Sequence, residues 1–321
     1  MKLYYSLLIN LLIIFSISAQ PALLPTIGVG NLPSDSDPIC TIPMVGGSSS
    51  NIFVGDTIPH FKLYDINGVQ MDIGSTLQQG KAVLIMCGSF TCPAFRNKVD
   101  ELATIAAMYP TQLEVMMIYV VEAHPKTPDL CPYSGLVNEA NNVGTSASFL
   151  QPTTYLERKN AVQEFLDSMT VEISGIPVYI DGPCNEWWHA FGEAPNDGFL
   201  INPDGVVEIE QVWFDKFPDD MFADVATYIA ANPNLGTTEY FQQKINIFPN
   251  PVASGKNITL SIPKEMGNYT IDLIDITGKT IMTLNNTASL RLDEKLFQQG
   301  VYFMKITADN GKTYTKKLII N

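Results

Sequence analysis

The segment "CGSFTCPAFR", residues 87–96, sets two thiols around a Gly-Ser turn, with a proline after the second. A cysteine that acts as a nucleophile does so as the thiolate. Cys92 immediately precedes Pro93, and proline is well tolerated at the first helical position. Unpaired N–H groups and the dipole at a helix start favour an anion, so the Cys92 thiol is expected to have a lowered pKa. Arg96, four residues on, either adds positive charge on the same face or is a solvated surface residue. Cys87 ends an apolar run, and its spacing to Cys92 is wider than the redox Cys-x-x-Cys pair, so it reads as a small buried core residue. A second group of candidates lies in "IYVVEAHP", where Glu122 and His124 are two apart and would project from one side of an extended chain. If the two strands are neighbours, His124 passes a proton near Cys92 and Glu122 orients it. The competing reading is a capping histidine and a solvated glutamate.

The elements that would position these groups follow from periodicity. "HFKLYDINGVQMDIG" reads as a hairpin turning at Asn67-Gly68. "AVLIMCG" and "LEVMMIYVVEA" are apolar runs of strand length, suited to a sheet buried on both faces. "AFRNKVDELATIAAMYP" carries apolar residues at helical spacing between them, giving a parallel crossover unit. A helix from Thr153 or Thr154, the strand "IPVYID", a hairpin about Pro203-Asp204-Gly205 and a helix in "FPDDMFADVATYIAAN" complete the order. The expectation is α/β: a thioredoxin-like fold, a mixed sheet flanked by helices, over residues 52–232. Residues 20–51 are a leader or linker without helical or strand periodicity, and residues 233–244 are a second linker. Residues 245–321 alternate in short strands, with a turn at Asn310-Gly311, and predict a small all-β, immunoglobulin-like sandwich.

The charge is divided in the same way. Residues 1–242 hold 9 Lys/Arg against 27 Asp/Glu, and residues 243–321 hold 10 against 6, so the net charge of −14 splits into −18 and +4. An acidic main segment argues against nucleic acid as a partner. Residues 1–19 pair one lysine with an apolar run ending at small residues, the pattern of a cleaved secretory signal, and no later stretch predicts a membrane span. Export permits disulfides, and five cysteines leave at least one thiol unpaired within the chain.

The pair "GSFTCPAF" and "IYVVEAH", with "FGEAPNDGFLINPDG" further on, resembles the iodothyronine deiodinases over roughly residues 52–232. The resemblance implies a thioredoxin fold and reductive dehalogenation of aromatic rings, with an external thiol as reductant and no bound cofactor. It puts Cys92 in the place of the family's selenocysteine and Glu122 and His124 at positions implicated in proton delivery. It also places Ser89 and Thr91 in the loop where hydroxyls could bond a thiolate. This chain departs by carrying sulfur for selenium, Phe90 where many members keep a cysteine, and "PKTPDLCPYSG" after His124. Cys131 and Cys184 fall in irregular segments; either resolves an oxidised Cys92, or the two bond each other. Trp187-Trp188 with His189 either line an aromatic pocket or pack in the core.

"IFPNPV", "LIDITGK", "GVYFMKI" and the terminal "KKLIIN" resemble the C-terminal sorting domain of type IX secretion substrates. That implies the type IX machinery as a partner and display at the cell surface or release. The sequence shows no metal constellation and no glycine-rich nucleotide loop. The functional expectation is an exported thiol oxidoreductase acting on a small molecule, a halogenated aromatic or a peroxide. The alternatives are a peroxiredoxin-like peroxidase or disulfide reductase, and a surface binding module without chemistry.

Overall fold

The computed structural model describes residues 23–28, 30–169, 175–236, 242, 244–263, 268–308 and 313–321. The signal segment and the Asn310-Gly311 turn lie outside them. The chain divides into two compact units, with the boundary between Gln243 and Lys244.

In the larger unit the strands are β1 (Leu24–Ile27), β2 (Pro59–Tyr64), β3 (Gln70–Asp72), β4 (Ala82–Gly88), β5 (Leu113–Tyr119), β6 (Val178–Ile180), β7 (Gly198–Ile201) and β8 (Val207–Gln211). The helices are α1 (Ile73–Leu77), α2 (Pro93–Arg96), α3 (Val99–Met108), α4 (Tyr155–Ser168), α5 (Glu186–Phe191) and α6 (Met221–Ala231). The sheet order is β1-β2-β6-β5-β4-β7-β8, with β3 added to β2. β4 runs parallel to β5 from Ala82↔Leu113 to Gly88↔Tyr119 and antiparallel to β7, while β5 runs parallel to β6. This is the expected thioredoxin-like arrangement. All seven residues of β4 are buried, because apolar layers cover both faces of the central sheet.

Local chemistry sets the element ends. The β2–β3 hairpin turns at Gly68, which takes φ +78°, and Asp72 then caps α1. Thr154 caps α4 through its hydroxyl, and Asp220 caps α6. The single helix expected after Pro93 is two helices. Lys98 leaves helical geometry (ψ 1°), so α2 keeps only four residues before α3 begins.

Residues 24–51 are more than a leader. β1 pairs parallel with β2, Ile39 N–H donates to Thr153, and Cys40 N–H donates to Pro183. These bonds bring Cys40 beside Cys184, and the two form a disulfide with Cα atoms 4.7 Å apart. The expected Cys131–Cys184 bridge is therefore corrected, and a resolving role for Cys184 would require this bond to open. Cys131 is a free, buried thiol.

The smaller unit has β9 (Asn246–Phe248), β10 (Asn257–Ser261), β11 (Tyr269–Asp275), β12 (Thr280–Asn285), β13 (Ser289–Arg291), β14 (Gly300–Ala308) and β15 (Thr313–Ile320). They form two antiparallel sheets, β13-β10-β9 and β12-β11-β14-β15, as the alternating pattern predicts. Among the described residues no helix is long and apolar enough to cross a membrane.

Candidate active site

The loop that leaves β4 carries Ser89, Phe90, Thr91 and Cys92 into α2, at the carboxyl end of a parallel pair of strands. Cys92 is the residue before the first turn, as expected, but it is 1 % exposed and belongs to the main apolar core. Burial pushes its thiol up to about 11, against the expected lowering. The N–H groups of Phe95 and Ala94 and the charge of Arg96 pull the other way, and the nearby Glu122 carboxylate adds to the rise. The physical reason is scale: a four-residue helix offers few N–H groups, whereas desolvation acts on the whole thiolate.

Thr91 is the knot of the site. Its hydroxyl donates to Glu122 Oε2 (2.8 Å) and its N–H donates to the same oxygen (3.3 Å). Its Oγ1 accepts from the His124 N–H (3.1 Å). Ser89 Oγ accepts from the Ala123 N–H (3.1 Å). The two loop hydroxyls thus pin residues 122–124 instead of forming the expected thiolate contacts.

Glu122 and His124 do meet the loop, though by another geometry than strand alternation. β5 ends at Tyr119, so both lie in the irregular segment beyond it. Glu122 is buried and accepts from the Tyr119 phenol (2.7 Å) as well as from Thr91. Burial raises its pKa, and the Tyr119 and Thr91 bonds oppose the rise. It is not a solvated glutamate. The His124 ring turns to Asn138, with Nδ1 3.1 Å from that carbonyl, so Glu122 is not its orienting group. Desolvation lowers the His124 pKa. With Nδ1–H donating to the carbonyl, the neutral ring keeps Nε2 as an acceptor.

Arg96 is half-buried rather than solvated. It donates to the Phe90 carbonyl and, through Nη2, to Asn142 Oδ1 (3.0 Å), and it lies over the Phe90 ring at 5.5 Å. Asn142 is fully buried and donates to the carbonyls of Thr91 (2.7 Å) and His124 (3.3 Å). It ties the long 124–151 segment down over the thiol loop. Gln151 clamps the other end, donating to the Glu122 carbonyl (2.6 Å) and accepting its N–H (3.3 Å).

Sequence reasoning missed Asn142, Gln151 and Tyr119. Asn142 and Gln151 lie in a segment whose local pattern carries no chemical signal, and Tyr119, though inside the marked "IYVVEAHP", reads there as an apolar strand residue. It also missed Asp197, which accepts from the buried Cys87 thiol and whose pKa burial raises to about 8. Cys87 is buried as expected. Trp187 and Trp188 lie in the core on α5, so they do not form an open aromatic pocket. Among the described residues no group of His, Cys, Asp and Glu could hold a metal ion.

Residues 246–321 match the family described as "Secretion system C-terminal sorting domain". The chain is exported by the type IX route, to the cell surface or the extracellular space. No curated protein matches the chain. Among solved structures, a putative protein disulfide isomerase from Bacteroides thetaiotaomicron shares 13% identity, covering 59% of this chain and 93% of that one, with a TM-score of 0.38. A putative thiol:disulfide interchange protein from Chlorobium tepidum shares 15% identity, covering 56% and 99%, also at 0.38. A secreted disulfide oxidoreductase from Mycobacterium tuberculosis shares 14%, covering 53% and 95%, at 0.33. The fold assignment stands on the topology above, and these likenesses add no chemistry to it.

Proposed function

We propose that the chain is an exported thiol oxidoreductase in which Cys92 attacks a soft electrophile, and that its reaction is reductive removal of a halogen from an aromatic ring. The observation that carries this reading is the convergence of Glu122, His124 and Asn142 on Thr91, the residue before the thiol. A merely buried cysteine needs no such polar scaffold, and every buried polar group in it has to be satisfied. The resemblance of the two motifs supports the halogen as leaving group.

In this reading the stretch between His124 and Asn142 lifts and exposes Cys92, while His124, Asn142 and Gln151 themselves stay tied to the thiol loop and to Glu122. His124 Nε2 takes the thiol proton as a base. The thiolate attacks the halogen of an aryl carbon–iodine bond: the sulfur–iodine bond forms, the carbon–iodine bond breaks, and the ring carbon takes a proton from the imidazolium. An external thiol then displaces iodide to give a mixed disulfide, and a second external thiol restores Cys92 and leaves as the external disulfide. Arg96 supports the thiolate by charge, and Glu122 and Asn142 fix the loop.

A second reading, a binding module without chemistry, is favoured by the buried, protonated thiol. The two separate in one set of assays on the full chain with dithiothreitol: iodide release from 3,5-diiodotyrosine, peroxide consumption and reduction of a peptide disulfide. Iodide release that vanishes in Cys92→Ser supports dehalogenation. Turnover of peroxide or disulfide alone keeps the oxidoreductase and overturns the halogen. No turnover of any probe, with a Cys92 alkylation midpoint that stays near 11, leaves the binding module.

A further inference from the structure

Beside the thiol loop lies a half-open cleft of about 460 Å³, bounded by the end of the 124–151 segment and by α4. Its size suits one ring-sized group and a short chain. Its apolar wall is Phe149, Leu150, Pro152 and Ala161. Leu150 is 50% exposed, an uncovered apolar side chain where a ligand would shield it. The polar side holds Glu157, Asn160 and Glu164, and no lining residue is basic. Glu157 is occupied in part, accepting from the Thr153 N–H and hydroxyl (both 2.7 Å), which fixes its carboxylate in place. The unit as a whole is strongly acidic, so its field adds to the local one.

The cleft also touches the site. The Phe149 ring stacks on Phe90 with centroids 6.3 Å apart, and Phe90 is two residues before Cys92. Gln151, another lining residue, is the clamp on the Glu122 backbone.

We propose that this cleft binds an amphipathic amine: an aromatic or branched apolar body against Phe149 and Leu150, with one ammonium group facing Glu164. Taken with the oxidoreductase reading, on which this last step rests, the amine-bearing end of the substrate docks here while its reactive end faces the Phe90–Cys92 loop.

The test measures binding of three probes of one shape: phenethylamine, the uncharged 2-phenylethanol and the anionic 3-phenylpropionate. Calorimetry on the full-length Cys92→Ser chain keeps a failure of binding separate from a failure of thiol chemistry. Expected is saturable binding of phenethylamine, about tenfold tighter than 2-phenylethanol, with 3-phenylpropionate weaker still. Asn160→Trp, which fills the mouth from an exposed position, abolishes binding of the amine, and Glu164→Gln removes most of its advantage over the alcohol. Absence of saturable amine binding, equal binding of the anion, or binding unchanged in Asn160→Trp overturns the proposal. A substrate assay in which phenethylamine competes supports docking of the substrate; turnover indifferent to saturating phenethylamine overturns that last step alone.

Discussion

Two buried polar knots hold the larger unit, and they are built oppositely. At the first, Asp181 accepts the N–H groups of Gly182 (2.7 Å), Trp187 (2.9 Å) and Trp188 (3.0 Å), fixing the start of α5. Arg158 lies buried beside it, bonded to the carbonyls of Asp181 and Gly182 and to Asn185. Burial raises the Asp181 pKa to about 6, while the Arg158 charge and the Trp187 and Trp188 N–H groups hold it below neutrality. The second knot, around Thr91, pairs the Glu122 carboxylate with a phenol, a hydroxyl and one N–H. The first sets helix and loop backbone around a carboxylate, with the Arg158 cation bonded to the carbonyls beside it. The second surrounds a carboxylate with titratable and rotatable donors next to a thiol. The difference teaches that a buried acid becomes a candidate for chemistry through the kind of partner it has, not through burial alone.

The largest expected break in that comparison is Arg158→Met. It leaves Asp181 buried without its cation and should cost about 3–5 kcal/mol in urea unfolding. The Arg158 charge also acts on Glu122 and lowers its pKa, so its loss should raise the Glu122 pKa and leave less negative charge beside Cys92, moving the alkylation midpoint down; an unmoved midpoint would show that the two knots are separate. Glu122→Gln comes next, at about 1–3 kcal/mol for the bonds it weakens. Because the Glu122 charge pushes the Cys92 pKa up, its removal should move the alkylation midpoint down. A midpoint that rises would show that the glutamate supports the thiolate instead.

A third carboxyl sharpens the contrast. Asp197 sits against the Cys87 thiol with its second oxygen buried and unpartnered. Burial raises its pKa from 3.8 to about 8, with the Cys87 bond opposing and Glu210 adding. A raised folded-state pKa means the folded chain holds a proton that the unfolded chain releases. Its stabilising contribution is complete below pH 4 and is lost as pH rises through about 8. The slope this group adds approaches ~1.4 kcal/mol per pH unit in that window. Asp197→Asn should flatten it in denaturant titrations run from pH 5 to 8, and an unaltered slope would mean the group is ionised in the fold. The smallest effect belongs to Asn142→Ala. Loss of its three bonds loosens the cover over Cys92, and alkylation should speed by about fivefold, near 1 kcal/mol of opening free energy. An unchanged rate would show that the thiol is reached by another route.

Much of the architecture was legible in the sequence. The β2–β3 turn at Gly68, the buried β4 and β5 runs and the Thr154 cap each follow from a local signal of a few residues. The split between α2 and α3 was not, since the apolar spacing runs through Lys98 without a break. The candidate site was half legible. Cys92, Glu122 and His124 were marked by residue type and by a motif resemblance, but their states were not. Asn142 lies 51 residues from the Thr91 carbonyl it binds, and Cys40 lies 144 residues from its disulfide partner.

By itself the sequence determined which segments become strands and helices, where the acidic unit gives way to the sorting tail, and which sulfur stands at the start of a helix. These depend on apolar period, turn chemistry and charge, which act between near neighbours. The tertiary structure alone decided that this sulfur is buried and protonated, that Glu122 serves the Thr91 loop rather than the imidazole, and that Cys184 is taken by the leader. Those outcomes depend on desolvation and on partners far away in the chain, and both come into being only when the layers close.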